Sequence, residues 1–189
     1  MIKLVDLLRE IMNPSKDFYH GTGWELSLQN LDMERTNVPK AGRTTGSTLS
    51  GTGLYTTKDL WSNQDAHDET NPVFKQGTRG PQSAEKYAKG YSKNKVDLTI
   101  GHPIYIYKVK LKPDFNLVDN SSNDLPSGYD MKNINSQQRK ELLAQGIDGI
   151  NAGDEQILLN KDKIASITLA YKATKYGTDH LNLPIWEKV

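Results

Sequence analysis

Short β-forming runs, more than helical repeats, dominate this 189-residue chain. The clearest run is HPIYIYKVKL at 102–111, which is rich in β-formers and alternates at its C-terminal end. Further strands are predicted at DFYHG (17–21), GLYTT (53–57), FNLVD (115–119), GIDGINAG (146–153), EQILLN (155–160) and IASITLAYKA (164–173). Strict strand–helix alternation is missing, which argues against a doubly wound nucleotide fold. The pattern predicts an α+β fold, with a split, mostly antiparallel β-sheet core and peripheral helices.

Helical patterns occur at the start of the chain and in the connections. MIKLVDLLREIM at 1–12 has apolar residues at helical spacing, and Pro14 ends the pattern. SAEKYAKGY begins at Ser83, a plausible N-cap, and NSQQRKELLAQG is opened by Asn135 or Ser136 and stopped by Gly146. We therefore divide the chain into an N-terminal amphipathic helix (1–14) and a single domain (15–189). The helix is expected to pack on its own domain, with docking on a partner as the alternative.

Charge and cysteine content exclude several functional classes. Lys+Arg 24 against Asp+Glu 23 leaves a net charge of +1, so a strongly polyanionic partner is not implied. The chain has no cysteine, which removes disulfides, thiolate zinc sites and cysteine nucleophiles and agrees with a reducing setting. Charges interrupt the first helix, which is predicted to be neither a signal peptide nor a membrane span. We expect a cytoplasmic protein that does not bind membranes.

Four short stretches occur in a telling order: YHGT (19–22), GTGLYTT (51–57), SAEKYA (83–88) and DEQILLN (154–160). Together they resemble the histidine-tyrosine-glutamate branch of the ADP-ribosyltransferase superfamily, which contains diphtheria toxin and the poly(ADP-ribose) polymerases. In that branch a strand ends in His-Gly-Thr or His-Gly-Ser, and a Gly-x-Gly-hydrophobic-Tyr turn follows. A small-residue helix with a second tyrosine comes next, and the last strand begins with the catalytic glutamate. GIDGI before the last stretch is common in bacterial and phage-borne relatives.

The resemblance implies a mono-ADP-ribosyltransferase that uses NAD as co-substrate. Such an enzyme releases nicotinamide and transfers ADP-ribose to a macromolecular acceptor, which we expect to be a protein, with nucleic acid as an alternative. Glu155 would be the catalytic residue. Its carboxylate would accept a hydrogen bond from the nicotinamide-ribose 2′-hydroxyl and stabilise the positive charge of an oxocarbenium-like transition state. By the same analogy the protein would be a bacterial or phage effector or toxin acting inside a producing or host cell.

The resemblance also implies an NAD-binding set. His20 would contact the adenosine-side ribose, and the backbone of Gly21 would reach the nicotinamide carboxamide. Two tyrosines would sandwich the nicotinamide ring. The complete predicted set is His20, Gly21, Thr22, Tyr55 and Tyr87.

The assignments of Tyr87 and Glu155 each have alternatives in the sequence. The polar stretch at 61–82 separates the Tyr55 turn from the helix, so Tyr91 is an alternative to Tyr87. Gln156 and Asp154 flank the glutamate, and a one-residue change of register would exchange which side chain faces the site. Glu155 is preferred because the apolar run 157–159 follows it at the expected offset. Gly153 stands two residues before Glu155, which disfavours the arginine-modifying branch of the superfamily.

The sequence offers three alternatives to a transferase. An NAD glycohydrolase would use the same pocket with water as the nucleophile. A catalytically silent NAD- or ADP-ribose-binding or interaction module would keep the fold alone. A metal site is the third reading: DAHDE at 65–69 offers oxygen and imidazole ligands, but no second cluster accompanies it, and no metal is predicted.

Overall fold

The computed structural model describes residues 17–34, 52–62, 73, 77–94, 98, 102–120, 125, 129, 134–177 and 183–189. The predicted N-terminal helix at 1–14 and the acidic stretch at 65–69 lie outside these residues.

Strands outnumber helices in the described part of the chain, and the α+β prediction is confirmed. The two α-helices are α1 (Ala84–Asn94) and α2 (Ser136–Ala144), and a short 3-10 helix spans Lys161–Lys163. The strands are β1 (Phe18–Thr22), β2 (Leu54–Thr57), β3 (Trp61–Ser62), β4 (Arg79–Gly80), β5 (Ile104–Leu111), β6 (Leu117–Asp119), β7 (Gly149–Ala152), β8 (Glu155–Leu158), β9 (Ile164–Tyr176) and β10 (Pro184–Lys188).

Eight strands form one mixed sheet in the order β10-β9-β5-β1-β2-β8-β7-β6, and β3 pairs with β4 in a separate two-stranded sheet. Every neighbouring pair in the large sheet is antiparallel except β6 and β7, which are parallel. A parallel pair needs a long crossover, and α2 lies in the connection between β6 and β7. The sheet is therefore mostly antiparallel, as the sequence predicts.

The shortest ladder of the large sheet joins β1 to β2. Their register is set at one pair, Tyr19 opposite Thr57, whereas β1 and β5 are registered at five pairs. We call the Tyr19–Thr57 junction the seam. The structure thus has one continuous mixed sheet, with a narrow junction between β1 and β2, in place of the split core that the sequence predicts.

Side-chain caps fix where the two α-helices begin. The Ser83 hydroxyl accepts a hydrogen bond from the Lys86 amide (3.2 Å) at the start of α1. At α2, Asn135 and Gln138 form a reciprocal capping box, so Asn135 is the N-cap and the alternative, Ser136, is the first helical residue. Gly146, with φ of +77°, follows the helix and ends it.

Among the described residues, apolar side chains form three buried clusters around the sheet. One lies between α1 and strands β5, β9 and β10 and includes Trp61, Ile104, Ile106 and Trp186. The second includes Phe18, Leu54, Val109 and Leu158. The third joins α2 to β7 and β8 through Leu142, Ile150 and Ile157. No helix in the described part of the chain is long and apolar enough to cross a membrane.

Candidate active site

The strands that carry the three predicted signature residues are neighbours in the sheet. His20 lies on β1, Tyr55 on β2 and Glu155 begins β8, and the sheet order β1-β2-β8 places them on consecutive strands. Tyr55 is opposite Ile157, and Thr57 is opposite Glu155. Because side chains alternate along a strand, Tyr55 and Glu155 occupy diagonal positions on the same face.

His20 bridges β1 and β2 next to the seam. Its Nδ1 lies 2.6 Å from the Tyr55 carbonyl oxygen. A carbonyl only accepts hydrogen bonds, so Nδ1 carries the proton and Nε2 is left as an acceptor. Burial lowers the pKa of His20, while the hydrogen bond to Tyr55 acts in the opposite direction. The neutral ring is therefore able to accept a hydrogen bond from a ligand hydroxyl.

Glu155 stands half-buried at the first position of β8, directly after a tight turn. Burial raises the pKa of its carboxyl group, because a charged carboxylate loses solvation there, and the charge of Lys86 on α1 lowers it. The charge of Lys86 thus favours the ionised form of the carboxyl group.

Gly21 allows α1 to pack directly against β1. A β-carbon at this position would lie 1.8 Å from the Ala84 carbonyl oxygen and 2.7 Å from the Ala88 amide nitrogen. Only glycine fits such a close backbone approach. Since Gly21 has the same strand parity as Tyr19, which opposes Thr57, α1 lies on the face of the sheet that carries Tyr55 and Glu155.

The remaining predicted NAD-binding residues are placed as follows. Thr22 is buried at the end of β1, and its hydroxyl oxygen accepts a hydrogen bond from the Trp24 amide (3.3 Å). Tyr87 is half-buried on α1, where its hydroxyl donates to Gln82 Oε1 (3.4 Å). The backbone of Tyr91 belongs to α1, and its side chain lies outside the described part of the structure.

The two alternatives to Glu155 occupy different environments. Gln156 is fully buried and points to the opposite face of β8. Asp154 is exposed in the turn before β8.

Sequence reasoning missed two lysines near this site. Lys86 is visible in the sequence as part of a predicted helix, but nothing in its spacing indicates that its charge acts on Glu155. Lys58 follows β2 and reaches the turn before Glu155, where its ammonium donates to Asn151 Oδ1 (3.1 Å) and the Gly153 carbonyl oxygen (3.4 Å). The electrostatic influence of Lys86 on Glu155 and the hydrogen bonds of Lys58 both join residues far apart in the chain, and no local sequence pattern indicates such pairs.

Comparison of the chain with family models, with curated proteins and with solved structures gave no match. Within the described residues, no group of three or more His, Asp or Glu side chains is arranged to hold a metal ion.

Proposed function

We propose that this protein is a mono-ADP-ribosyltransferase that cleaves NAD and transfers ADP-ribose to a macromolecular acceptor. The observation that carries the proposal is the adjacency of β1, β2 and β8, which places His20, Tyr55 and Glu155, from distant parts of the chain, on three consecutive strands. Tyr55 and Glu155 share a face of the sheet, and His20, whose strand parity is opposite, reaches β2 through its hydrogen bond to the Tyr55 carbonyl. The order of these residue types across the sheet matches the histidine-tyrosine-glutamate signature in the sequence.

The proposed reaction breaks the bond between C1′ of the ribose and the nicotinamide nitrogen. Nicotinamide leaves with the bonding electron pair, and positive charge develops on the ribose. The Glu155 carboxylate stabilises this charge as a preorganised anion. The acceptor nucleophile then bonds to C1′, and its proton passes to Glu155, whose raised pKa suits a proton acceptor.

Binding of NAD is assigned to the predicted set on β1, β2 and α1. His20 Nε2 accepts a hydrogen bond from the adenosine-side ribose, and Gly21 and Thr22 line the end of β1 where α1 crosses it. Tyr55 and Tyr87 provide aromatic faces for the nicotinamide ring. Among these contacts, the Nε2 acceptor of His20 has the most direct support, because the hydrogen bond from Nδ1 to the Tyr55 carbonyl fixes the tautomer.

Nicotinamide release from NAD tests the proposal. Glu155→Gln keeps the shape of the side chain and removes its charge, and we expect release to fall by about a hundredfold. Asp154→Asn is the matched control, since it neutralises the adjacent carboxylate in the exposed turn, and it should retain most of the wild-type rate. No release by a folded wild-type protein, or equal loss in both variants, would overturn the proposed chemistry.

The fate of the ADP-ribose separates transfer from hydrolysis. NAD labelled in its adenylate phosphate is incubated with the protein and a bacterial lysate, and label is followed on macromolecules and in free ADP-ribose. Label that becomes covalently attached to protein supports transfer, and attachment to nucleic acid would change the acceptor class. Free ADP-ribose as the sole product would replace the transferase by a glycohydrolase.

A further inference from the structure

The turn that presents Glu155 is a two-residue hairpin between β7 and β8. Ala152 and Glu155 are directly opposite each other, and Gly153 and Asp154 form the turn. Gly153 has φ of +83°, a conformation that glycine adopts without strain. Glu155 is the first residue after this turn, so the backbone of the hairpin tip leads directly into the residue that carries the carboxylate.

Two donors hold the hairpin tip from the face opposite Glu155. Gln156 Nε2 donates to the Gly153 carbonyl oxygen (3.1 Å) and to Asn151 Oδ1 (3.2 Å). Lys58 Nζ donates to the same two oxygen atoms, at 3.4 and 3.1 Å. Asn151 in turn donates to Asp119 Oδ1 on β6. We call Lys58, Asn151 and Gln156 the brace.

One residue of the brace, Gln156, is polar at a position where an apolar side chain would stabilise the fold more. Gln156 is fully buried on a face where Leu158, two residues later, packs in an apolar cluster. Within the described residues Gln156 Oε1 has no hydrogen-bond donor. An unsatisfied buried amide oxygen costs about 1–3 kcal/mol. The amide nitrogen of Gln156 is the part of the side chain that makes contacts, and both contacts fix the hairpin.

We infer that Lys58 and Gln156 are positioning residues that hold the Glu155 carboxylate in place by fixing the Gly153 carbonyl. The inference rests on the proposed function, in which Glu155 faces the developing charge. A misplacement of about 1 Å costs a reaction up to about a hundredfold in rate, so a hairpin fixed at its tip contributes directly to turnover.

Lys58→Met is the decisive variant, because Lys58 is only partly buried and methionine keeps most of its stem. Lys161→Met is the matched control, since Lys161 also donates to backbone carbonyls, those of Leu31 (2.7 Å) and Gln29 (3.5 Å), away from the hairpin. The first readout is amide hydrogen exchange at residues 153–156, which needs no activity. We expect exchange about tenfold faster in Lys58→Met and unchanged in Lys161→Met. Unchanged exchange in Lys58→Met would overturn the inference.

The second readout is nicotinamide release in two backgrounds. Lys58→Met should lower kcat by about tenfold or more with KM for NAD nearly unchanged, and Lys58→Arg should restore part of the loss. In the Glu155→Gln background, Lys58→Met should lower the residual rate no further, because the brace acts through Glu155. Equal losses in both backgrounds would overturn the inference. If the wild-type protein releases no nicotinamide, the proposed function fails, while faster exchange at the hairpin in Lys58→Met still supports the brace.

Discussion

His20 shows how one hydrogen bond determines both the position and the chemistry of a side chain. His20 lies one residue beyond the seam, where the backbone ladder between β1 and β2 stops. Its ring donates a hydrogen bond to the Tyr55 carbonyl. The same contact fixes the proton on Nδ1. A histidine held in this way is suited to accept a hydrogen bond and is poorly suited to shuttle protons, since protonation of Nε2 would place charge in a partly buried position.

The depressed pKa of His20 makes stability depend on pH. Unfolding returns the ring to its ordinary pKa of about 6.5, so the unfolded state binds the proton more tightly than the folded state. The free energy of unfolding should therefore fall as the pH is lowered through that value. Urea unfolding at pH 7.5, 6.5 and 5.5 measures this slope.

His20→Asn tests the origin of that slope. Asparagine retains a side-chain N–H for the Tyr55 carbonyl but does not titrate, so the decline toward low pH should become shallower. The exposed His102 provides the matched control, and His102→Asn should keep the wild-type slope. A wild-type slope in His20→Asn would contradict the assignment.

Burial and the charge of Lys86 act in opposite directions on the pH at which Glu155 becomes ionised. The lysine charge lowers the pKa of the Glu155 carboxyl, which burial raises. Lys86→Met should raise that pKa further and shift the acid limb of kcat/KM for NAD cleavage to higher pH. Lys140→Met, which removes an exposed lysine on α2, serves as the control and should leave the acid limb in place. If the acid limb of kcat/KM stays in place or moves to lower pH in Lys86→Met, a group other than Lys86 controls the ionisation seen in that limb.

At the scale of elements, the contact between α1 and β1 is a backbone contact. Ala84 and Ala88 present small side chains at the place where Gly21 presents none, and both alanines are fully buried. This close approach positions the helix that carries Tyr87 and Lys86 beside the end of β1.

Two glycine-to-alanine substitutions test this contact. Gly21→Ala should destabilise the protein by about 1–3 kcal/mol or more, because the new methyl group meets backbone atoms that cannot move separately. Gly90→Ala, in the exposed part of α1 with open space around it, should stabilise the protein by about 0.5–1 kcal/mol. Thermal and urea unfolding of both variants provide the measurement. Similar effects of the same sign would show that α1 does not depend on the glycine.

The sequence predicted those elements whose signals are local. The strand at 104–111 has strong β-formers, and α2 has a capping box that its sequence spells out. The last strand, β10, was missed because PIWEK is short and begins with proline, which limits a strand to a sheet edge. Strands β3 and β4 have two residues each, too few to produce a periodic pattern.

For the candidate site, the sequence predicted residues but not their supports. Strand alternation alone indicates that Glu155 and Gln156 face opposite sides, and the structure shows which side is buried. The bond from His20 to Tyr55 and the contacts of Lys58 to the hairpin link residues 35 and 95 positions apart. Such pairings follow from the sheet order, which a single sequence does not specify.

At the scale of the molecule, Glu85 ties three separate parts of the chain together. Its fully buried carboxylate on α1 accepts hydrogen bonds from the Ser62 amide (3.1 Å) on β3 and from Trp186 Nε1 (3.3 Å) on β10. Lys89 lies 4.0 Å away on the same helix. A buried carboxylate is tolerated because these partners replace water. The C-terminal strand is thereby connected to the helix that lies over the candidate site.

Trp186→Phe tests this connection. The substitution keeps an aromatic side chain and removes the indole N–H from Glu85, so we expect a loss of about 1–3 kcal/mol in the free energy of unfolding. Trp24→Phe is the matched control, since Trp24 is 53% exposed, and its effect should remain within about 0.5 kcal/mol. Equal effects of the two substitutions, measured by urea unfolding, would argue against the role of Glu85.

The position of β8 in the sheet determines when the candidate site can form during translation. Strand β2 lies between β1 and β8, and its pairing with β8 joins residues 100 positions apart, as in the contact from Thr56 to Gln156. Contacts of such long range form slowly, and here they must wait until the second half of the chain has left the ribosome. A nascent chain that already contains His20 and Tyr55 still lacks the carboxylate, so the candidate site is completed only late in translation.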